Sequence, residues 1–594
     1  MTFKLKKILA LMLALFMVPG LSATAFAQTV LTPGTYTQTV PGHNGDLSVE
    51  VVLDANRIQS VTVTGHQETP GIADTPLGRI PQEIVENQSL AVDTIAGATV
   101  TSKAIIAAVA AAIESAGGDP EAFLTPAESE EDSSATAPIE MSTDVVVVGA
   151  GGAGLAAAAA AHQGGASVIV LEKLAAVGGS TARSGGGIAA TGTRFQEELG
   201  IEDSAESWMA LWQERQAIGQ ENDLYPDYEA VSKFMGDAVI TTEWLVDYVG
   251  HAYGSVEGFG MDPVRRLHFP VMPTGGGGGV LINSLKTFID AQEGITLLLE
   301  SPATSLITDE TGAVTGVLAQ GPDGPLFIQA KKVILAAGGF AKNEEMLSRL
   351  VPEMAGTGAT TTAGAGSDGD GINMALEVGA VLYEEPWVIG LGVVAYVPGT
   401  SSLMMDWSKV YVDAQGQRFT NEQVHYAIAA NMVALADSPW AIVDSSEANA
   451  KLVEALEAGL ETGQVAKGDS FEALAEQMGV PADAFVKTMS DYNQSAQTGT
   501  DALGKEAAYL LAYDSAPYYA VRLYPLTMGT FGGVKINGNY QVVREDGGVI
   551  PNLFAAGENA NRLLYNQVYM SGSAVQYALT SGRIAGEQAA LELQ

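Results

Sequence analysis

The sequence predicts an α/β fold: a parallel-sheet domain built from two chain segments, an α+β domain inserted between them, and a small α+β unit ahead of both. Three observations predict it. "DVVVVGAGGAGLAAAAAAHQGGASVIVLEK", residues 144–173, reads as a buried strand, a glycine turn, an alanine-rich helix and a second strand. Glycine-rich text at 178–190, 333–340 and 366–371 gives way to a stretch, 384–529, richer in Trp, Tyr and acidic residues, and then resumes. Alternating strands and one alanine-rich helix make a self-contained unit of residues 28–118.

Taken in order, the chain opens with Lys4, Lys6 and Lys7, an apolar run and Ala25-Phe26-Ala27, the three-part pattern of a secretory signal over residues 1–27. The competing reading is an uncleaved membrane anchor. No cysteine stands at the cleavage point, which excludes a lipid anchor, and no other stretch reads as a transmembrane span. The protein is therefore expected to be secreted or held in the cell envelope, away from the cytoplasmic nicotinamide pool.

In the small unit, "DLSVEVVLDANRIQSVTVTGH" alternates as two strands about a turn at Asp54-Ala55-Asn56. "TSKAIIAAVAAAIESAGG" predicts a helix capped by its leading Thr and Ser side chains and ended at Gly117-Gly118. Residues 119–141, which include "PAESEEDSSATAPIE", have the composition of a solvated acidic linker.

The main body then divides into 142–383, the inserted 384–529, and 530–594. In its opening motif Gly149 allows a tight turn and Gly151 lets a pyrophosphate approach the helix N-terminus. Gly154 permits close helix–strand packing, and Glu172 stands about twenty residues on for the ribose hydroxyls. That order of strand, glycines, helix, strand and acid specifies a Rossmann-like dinucleotide site. FAD rather than NAD fits the additional glycine clusters, which suit the wrapping of a long, retained cofactor. They supply as further contacts Lys173, Gly179, Ser180, Thr181, Ser184, Gly185, Gly186, Ala337, Gly338, Asp370, Gly557, Glu558, Ser573, Ala574 and Val575.

Composition removes other classes. A net charge of −40 argues against nucleic acid, whose phosphates need a basic surface. Zero cysteines exclude disulfides and thiolate ligands, and the six histidines show no ligand spacing, so no metal site is expected.

From about residue 143 the chain resembles the fumarate reductase/flavocytochrome c flavoprotein family, with its urocanate and enoate reductases and ketosteroid dehydrogenases. The resemblance rests on "VVGAGGAGL", "GGSTARSGGG", "ILAAGGF", "GSDGDGINMALEVGA", "GQRFTNE" and "AAGENAN…SGSAVQYALTSGRIAGE". It implies non-covalent FAD and a capping role for 384–529. It also implies an arginine proton donor four residues past Glu422 and a substrate arginine four residues before Ser573, where this chain has Tyr426 and Tyr569. The family's histidine before the "TxGG" turn falls at Gly529. Without those charged donors, bidentate binding of a dicarboxylate loses several kcal/mol, and fumarate reduction is not expected.

Tyr426 and Tyr569 become the catalytic candidates. His425 is the rival acid, since an imidazole near pKa 6.5 suits proton transfer better than a phenol near 10. A one-residue helical offset, about 100°, would turn one of the pair away from the flavin. Tyr519, Tyr524, Tyr565 and Arg562 are substrate-binding candidates, with core aromatics and an Arg562–Glu558 pair as the competing readings. The chemistry implied is hydride transfer from FAD to an activated C=C of an aromatic or apolar, hydroxycinnamate-like acceptor. Desaturation of a steroid-like ketone is the alternative, and a non-catalytic exported flavin-binding or electron-carrier protein the third.

"DTIAGAT", Asp93–Thr99, resembles the flavinylation motif of FMN-binding domains, in which FMN is joined by its phosphate to the threonine that matches Thr99. Ala96 departs from the motif's usual Ser or Thr. The resemblance implies a flavin transferase for maturation and an external or membrane electron donor, with FMN relaying electrons to FAD. The competing reading is an ordinary helix start.

Overall fold

The computed structural model describes residues 31–68, 73–92, 94–95, 98–124, 138–219, 223–259, 262, 264–272 and 276–594. The expected signal segment 1–27, Asp93 and Ala96 of the threonine motif, and linker residues 125–137 lie outside them.

The small domain is a three-stranded antiparallel sheet, Gly34–Pro41, Asp46–Leu53 and Ile58–Gly65, covered by helices Asp74–Asn87 and Thr99–Ser115. Alternation decides its core: Leu47, Val49, Val51 and Leu53 point inward onto Ile105, Val109 and Ile113 of the second helix. The helix ends as the glycines require, with Gly117 at φ +82°. Its start differs from expectation. Ala98 is the N-cap and no side chain caps it; Ser102 Oγ bonds back to the Ala98 carbonyl and accepts the Ile95 amide. This domain rests on the main body through Ala175, packed with its core, and through an Arg79–Glu300 ion pair.

An eight-stranded sheet carries the main body. Strand Ile139–Val148 begins ahead of Thr143 and runs parallel to Val168–Leu171, which in turn pairs with Ile295–Leu298. On its other side lies the long strand Gly324–Leu335. The first half of that strand pairs antiparallel with Val314–Gly321, and its last residues pair parallel with Val549–Ala555. The two chain segments thus complete one sheet. Helix Ser573–Leu591 packs along Gly152–Gln163, where Cβ atoms on Gly582 and Gly586 would lie 2.1 and 2.3 Å from the Ala153 and Ala157 carbonyls. Only a seam of alanine and glycine lets two helices approach so closely.

The inserted domain holds a four-stranded antiparallel sheet in the order Val410–Val412, Trp440–Asp444, Tyr518–Arg522, Val465–Gly468. A two-stranded ribbon, Trp387–Val394 with Tyr524–Phe531, joins it to the main body. Inside it, Glu422 accepts from Arg418 (2.7 Å) and Lys505 (2.8 Å), and Arg418 also reaches Asp501 (2.6 Å). All four side chains are buried, so each charge depends on the others for its pairing. Among the described residues no helix is long and apolar enough to cross a membrane.

Candidate functional site

One long cavity runs from the C-terminal end of the parallel strands to the inserted domain. Its floor is glycine by necessity. Gly149 follows strand Ile139–Val148 at φ +101°, and a Cβ there would sit 2.5 Å from the Ala336 carbonyl. A Cβ on Gly154 would be 1.8 Å from the Gly149 carbonyl, so Gly154 lies beneath the cavity and does not line it. Gly151, the N-cap of helix Gly152–Gln163, faces open space, its nearest neighbour being the Gly178 carbonyl at 3.9 Å. That is the room a pyrophosphate needs at a helix N-terminus.

Glu172 is buried against this floor and accepts the Ala150 and Leu174 amides, each at 2.9 Å. Burial raises its pKa, and the two amides offset only part of that rise. Lys173 is clamped by Asp368 (2.5 Å) and Asp370 (2.7 Å); these pairs outweigh its burial and raise its pKa. Gly179, Ser180, Thr181, Ser184, Gly185, Gly186, Ala337, Gly338, Gly557, Glu558, Ala574 and Val575 all border the same cavity. Ser573 does not: it is fully buried and bonded to the Tyr565 hydroxyl at 2.7 Å. A glycine floor, a buried acid that borders it about twenty residues on in sequence, and a cavity that continues past them to the inserted domain fit an FAD. No group of three or more metal-ligating side chains occurs among the described residues.

At the far end the wall changes to rings and hydroxyls. Tyr426 opens helix Tyr426–Leu435, with its hydroxyl 3.0 Å from Ser571 Oγ and its ring 6.1 Å from that of Tyr569. Phe259 meets the Tyr426 ring edge-on at 6.0 Å, and Ile389, Leu391 and Met528 complete the lining there. The Gly572 amide donates to the Tyr569 hydroxyl at 2.8 Å. Burial raises both phenols, Tyr569 to about 12 and Tyr426 well above its ordinary value. Glu558, half-buried beside Thr530, whose amide it accepts at 2.9 Å, is pushed up to about 7 by desolvation.

His425 does not line this cavity but a smaller one behind it, shared with Asp406, Glu422 and Tyr426. One of the pair thus faces away, as expected, but not through a helical offset: His425 is the N-cap, with non-helical φ −57° and ψ 140°. Its ring lies 4.0 Å from that of Tyr426, and both side chains reach Ser571. Burial, and then the Arg215 charge, lower its pKa to about 3, which disfavours the protonated imidazole.

Four substrate candidates are not brought to the site. Tyr519 bonds Glu457 across the inserted domain, and Tyr524 bonds Gln464 at 2.8 Å beside Tyr396. Tyr565 is stacked on Phe531 at 4.2 Å and bonded to Ser573. Arg562 is spent on the Tyr565 and Asn566 carbonyls and the Tyr225 ring rather than on Glu558. These aromatics serve packing, which needs the same side chains. Sequence reasoning missed Ser571, Phe259, Met528 and Arg183, which all line the cavity. The one available signal was the position of Ser571, two residues past Tyr569 in the turn before the last helix.

In the small domain Thr99 is the first residue of its helix and is exposed, with Oγ1 3.5 Å from the Ile95 carbonyl.

Comparison with known proteins agrees with this arrangement. Residues 144–574 match the FAD binding domain family and residues 42–114 the FMN-binding domain family. The urocanate reductase of Eggerthella lenta is 31% identical over 93% of this chain and 92% of its own length. The NADH:acrylate oxidoreductase of Vibrio harveyi is 30% identical over 94% of this chain, which spans 61% of that longer protein. Among solved structures, the open conformation of a flavocytochrome c3 fumarate reductase is 30% identical, with a TM-score of 0.60 over 76% of this chain and 78% of that one. The chain therefore belongs to the FAD binding domain family of flavin-dependent oxidoreductases that act on CH–CH and C=C bonds, related to fumarate and urocanate reductases and ketosteroid dehydrogenases, and it carries an FMN-binding domain ahead of that core.

Proposed function

We propose that the protein reduces the C=C bond of an α,β-unsaturated acceptor with an aromatic or apolar, hydroxycinnamate-like body, and is not a fumarate reductase. The observation that carries this reading is the lining around Tyr426 and Tyr569. Apolar side chains and hydroxyls face the cavity there, where the family leads one to expect arginines. The cations on the cavity wall are Lys173, held by two aspartates, and Arg183, exposed and donating through Nε to the Thr362 carbonyl at 2.8 Å. A dicarboxylate needs more fixed charge than that.

Bound reduced FAD would supply the hydride. The protein's part is proton and charge. Tyr426 is the proton donor to the α-carbon. Tyr569 already accepts the Gly572 amide, so its own proton is left to polarise the substrate carbonyl. Rings of Phe259, Tyr426 and Tyr569 pack on the substrate body and exclude water.

A second reading, dehydrogenation of a steroid-like ketone, has one specific support. A 3-ketosteroid-Δ4-(5α)-dehydrogenase structure from Rhodococcus jostii, in complex with 4-androstene-3,17-dione, matches at a TM-score of 0.60 and 26% identity over 77% of this chain. Its chemistry would use the same geometry in reverse.

The small domain is read as the electron entry. FMN joined through its phosphate to Thr99 would lie at a helix N-terminus, where free amides and the helix dipole favour an anion. A flavin transferase would attach it, and an external or membrane donor would reduce it. This fits export through a signal at residues 1–27 and a role in terminal electron acceptance outside the cytoplasm.

A screen of enoates and ketosteroids against dithionite-reduced viologen tests the reaction. Cinnamate-like acids should oxidise the dye and fumarate should not; equal rates with fumarate would sink the reading. Intact mass after co-expression with a flavin transferase should show one added FMN that is lost in Thr99→Ala. Cell fractionation checks export.

A further inference from the structure

Tyr426 and His425 meet on one hydroxyl. Ser571 Oγ lies 3.0 Å from the Tyr426 hydroxyl and 3.4 Å from His425 Nε2. The direction of these bonds follows from the other nitrogen of His425. Nδ1 accepts the Ala427 amide at 3.3 Å and so caps helix Tyr426–Leu435. In a neutral imidazole an accepting Nδ1 leaves the proton on Nε2, which can then only donate to Ser571. Ser571 still has its own O–H to place, and the Tyr426 oxygen is its other hydrogen-bonding partner among the described residues, so the Ser571 O–H is directed there. Tyr426 becomes the acceptor of that bond, and its own proton is left to point into the cavity that it lines.

We propose that Ser571 and His425 are positioning residues that aim the Tyr426 proton: His425 donates to Ser571, Ser571 donates to Tyr426, and Tyr426 alone hands a proton to the substrate. The proposal rests on the reductase reading for the identity of the acceptor. In the step the Tyr426 O–H bond would break as the C–H bond at the substrate α-carbon forms, with bound reduced FAD supplying the hydride to the β-carbon. The phenolate left behind keeps the Ser571 O–H as its donor until water returns a proton after product leaves. The groups around the pair agree with a neutral imidazole. Tyr569 and Phe259 face Tyr426, and Arg215, from helix Ala205–Gln216, disfavours a second positive charge on His425. Asp406 and Glu422 line the small cavity behind, but Glu422 is already paired with Arg418 and Lys505, and Asp406 with Lys409 at 2.8 Å.

The test separates helix capping from proton aiming. Asn is as good an N-cap as nature uses, yet it is too short to hold Ser571, so His425→Asn keeps the helix and loses the aim. Ser571→Ala and His425→Asn should each lower kcat for enoate reduction about 10- to 30-fold, the loss of one well-placed hydrogen bond, with KM within about twofold. The double variant should be no worse than Ser571→Ala, and Ser571→Thr should recover most of the rate. Reoxidation of the reduced holoenzyme by ferricyanide, which forms no C–H bond, is the control; an equal fall there means structural damage and overturns the proposal. Loss of activity in His425→Asn with Ser571→Ala and Tyr426→Phe unaffected makes His425 the acid and also overturns it. A second readout needs no substrate. In ¹⁵N-histidine-labelled holoenzyme, with six histidines to resolve, His425 should stay neutral with its proton on Nε2 from pH 5.5 to 8, and Ser571→Ala should shift that signal. A proton on Nδ1, or titration within the range, refutes the proposal even if no enoate is reduced, an outcome that by itself counts only against the reductase reading.

Discussion

At the nucleotide end of the cavity the wall is backbone; at the reaction end it is side-chain rings. Gly149 and Gly151 present bare main chain to the cavity, over Gly154, and Glu172 is held by two amides. Tyr426, Tyr569, Phe259 and Met528 instead present replaceable surfaces on a fixed frame. The difference has a cause. A cofactor shared across a family is gripped by what every residue has, so the requirement is the absence of a Cβ. A substrate that varies is gripped by what residues differ in. Changes at the first end should therefore abolish binding, and changes at the second should redirect or slow the reaction.

The strongest way to break this comparison is Gly149→Val. A branched side chain at φ +101°, with its Cβ 2.5 Å from the Ala336 carbonyl, should leave purified protein that releases no FAD on denaturation. Wild-type flavin content would refute the backbone cradle. Tyr426→Phe should keep FAD and lower kcat about 10²- to 10³-fold by removal of the proton donor. A variant that stays fully active would move the donor elsewhere. Glu172→Gln keeps an acceptor for one amide but loses the charge-assisted bonds, and FAD affinity should weaken about tenfold in a fluorescence titration, with kcat intact at saturation.

The smallest expected effect lies at Glu558. Its folded pKa, about 7, stands above the ordinary carboxylate value, because burial favours the protonated form. Its contribution to stability is thus full below the unfolded pKa and is lost as pH rises through 7. Melting curves should show Glu558→Gln gaining about 1–3 °C on wild type between pH 5 and 8. No change in that difference would place the Glu558 carboxylate in a wetter setting than its burial implies.

The same contrast explains what could be read from residues alone. The nucleotide end was legible because its requirement is written as spacing: three glycines, a helix and an acid about twenty residues on. Gly154 does the packing that its place in the motif predicts, whereas Ser573 was read as a cofactor contact although it is buried away from the cavity, since the motif does not say which atoms face the ligand. At the reaction end, Tyr426 and Tyr569 were located only through the family's arginine positions. Nothing local separates them from Tyr519, Tyr524 and Tyr565, which satisfy burial and one hydrogen bond elsewhere. Ser571 left only its position two residues past Tyr569 as a signal, because a serine in a turn has no periodicity to betray it. For His425 the offset argument reached the observed outcome, one of the pair facing the cavity, by the wrong route: it assumed a helical residue, and the residue is a cap.

The ribbon of Trp387–Val394 and Tyr524–Phe531 gives the reaction end a further property. Tyr426 stands on the inserted domain, whereas Ser571 and Tyr569 belong to the C-terminal segment on the far side of that ribbon. The donor and the hydroxyl that aims it are thus halves of a coincidence circuit. Any displacement of the inserted domain about that ribbon would part the two, so the orientation of the Tyr426 proton depends on how these segments are docked.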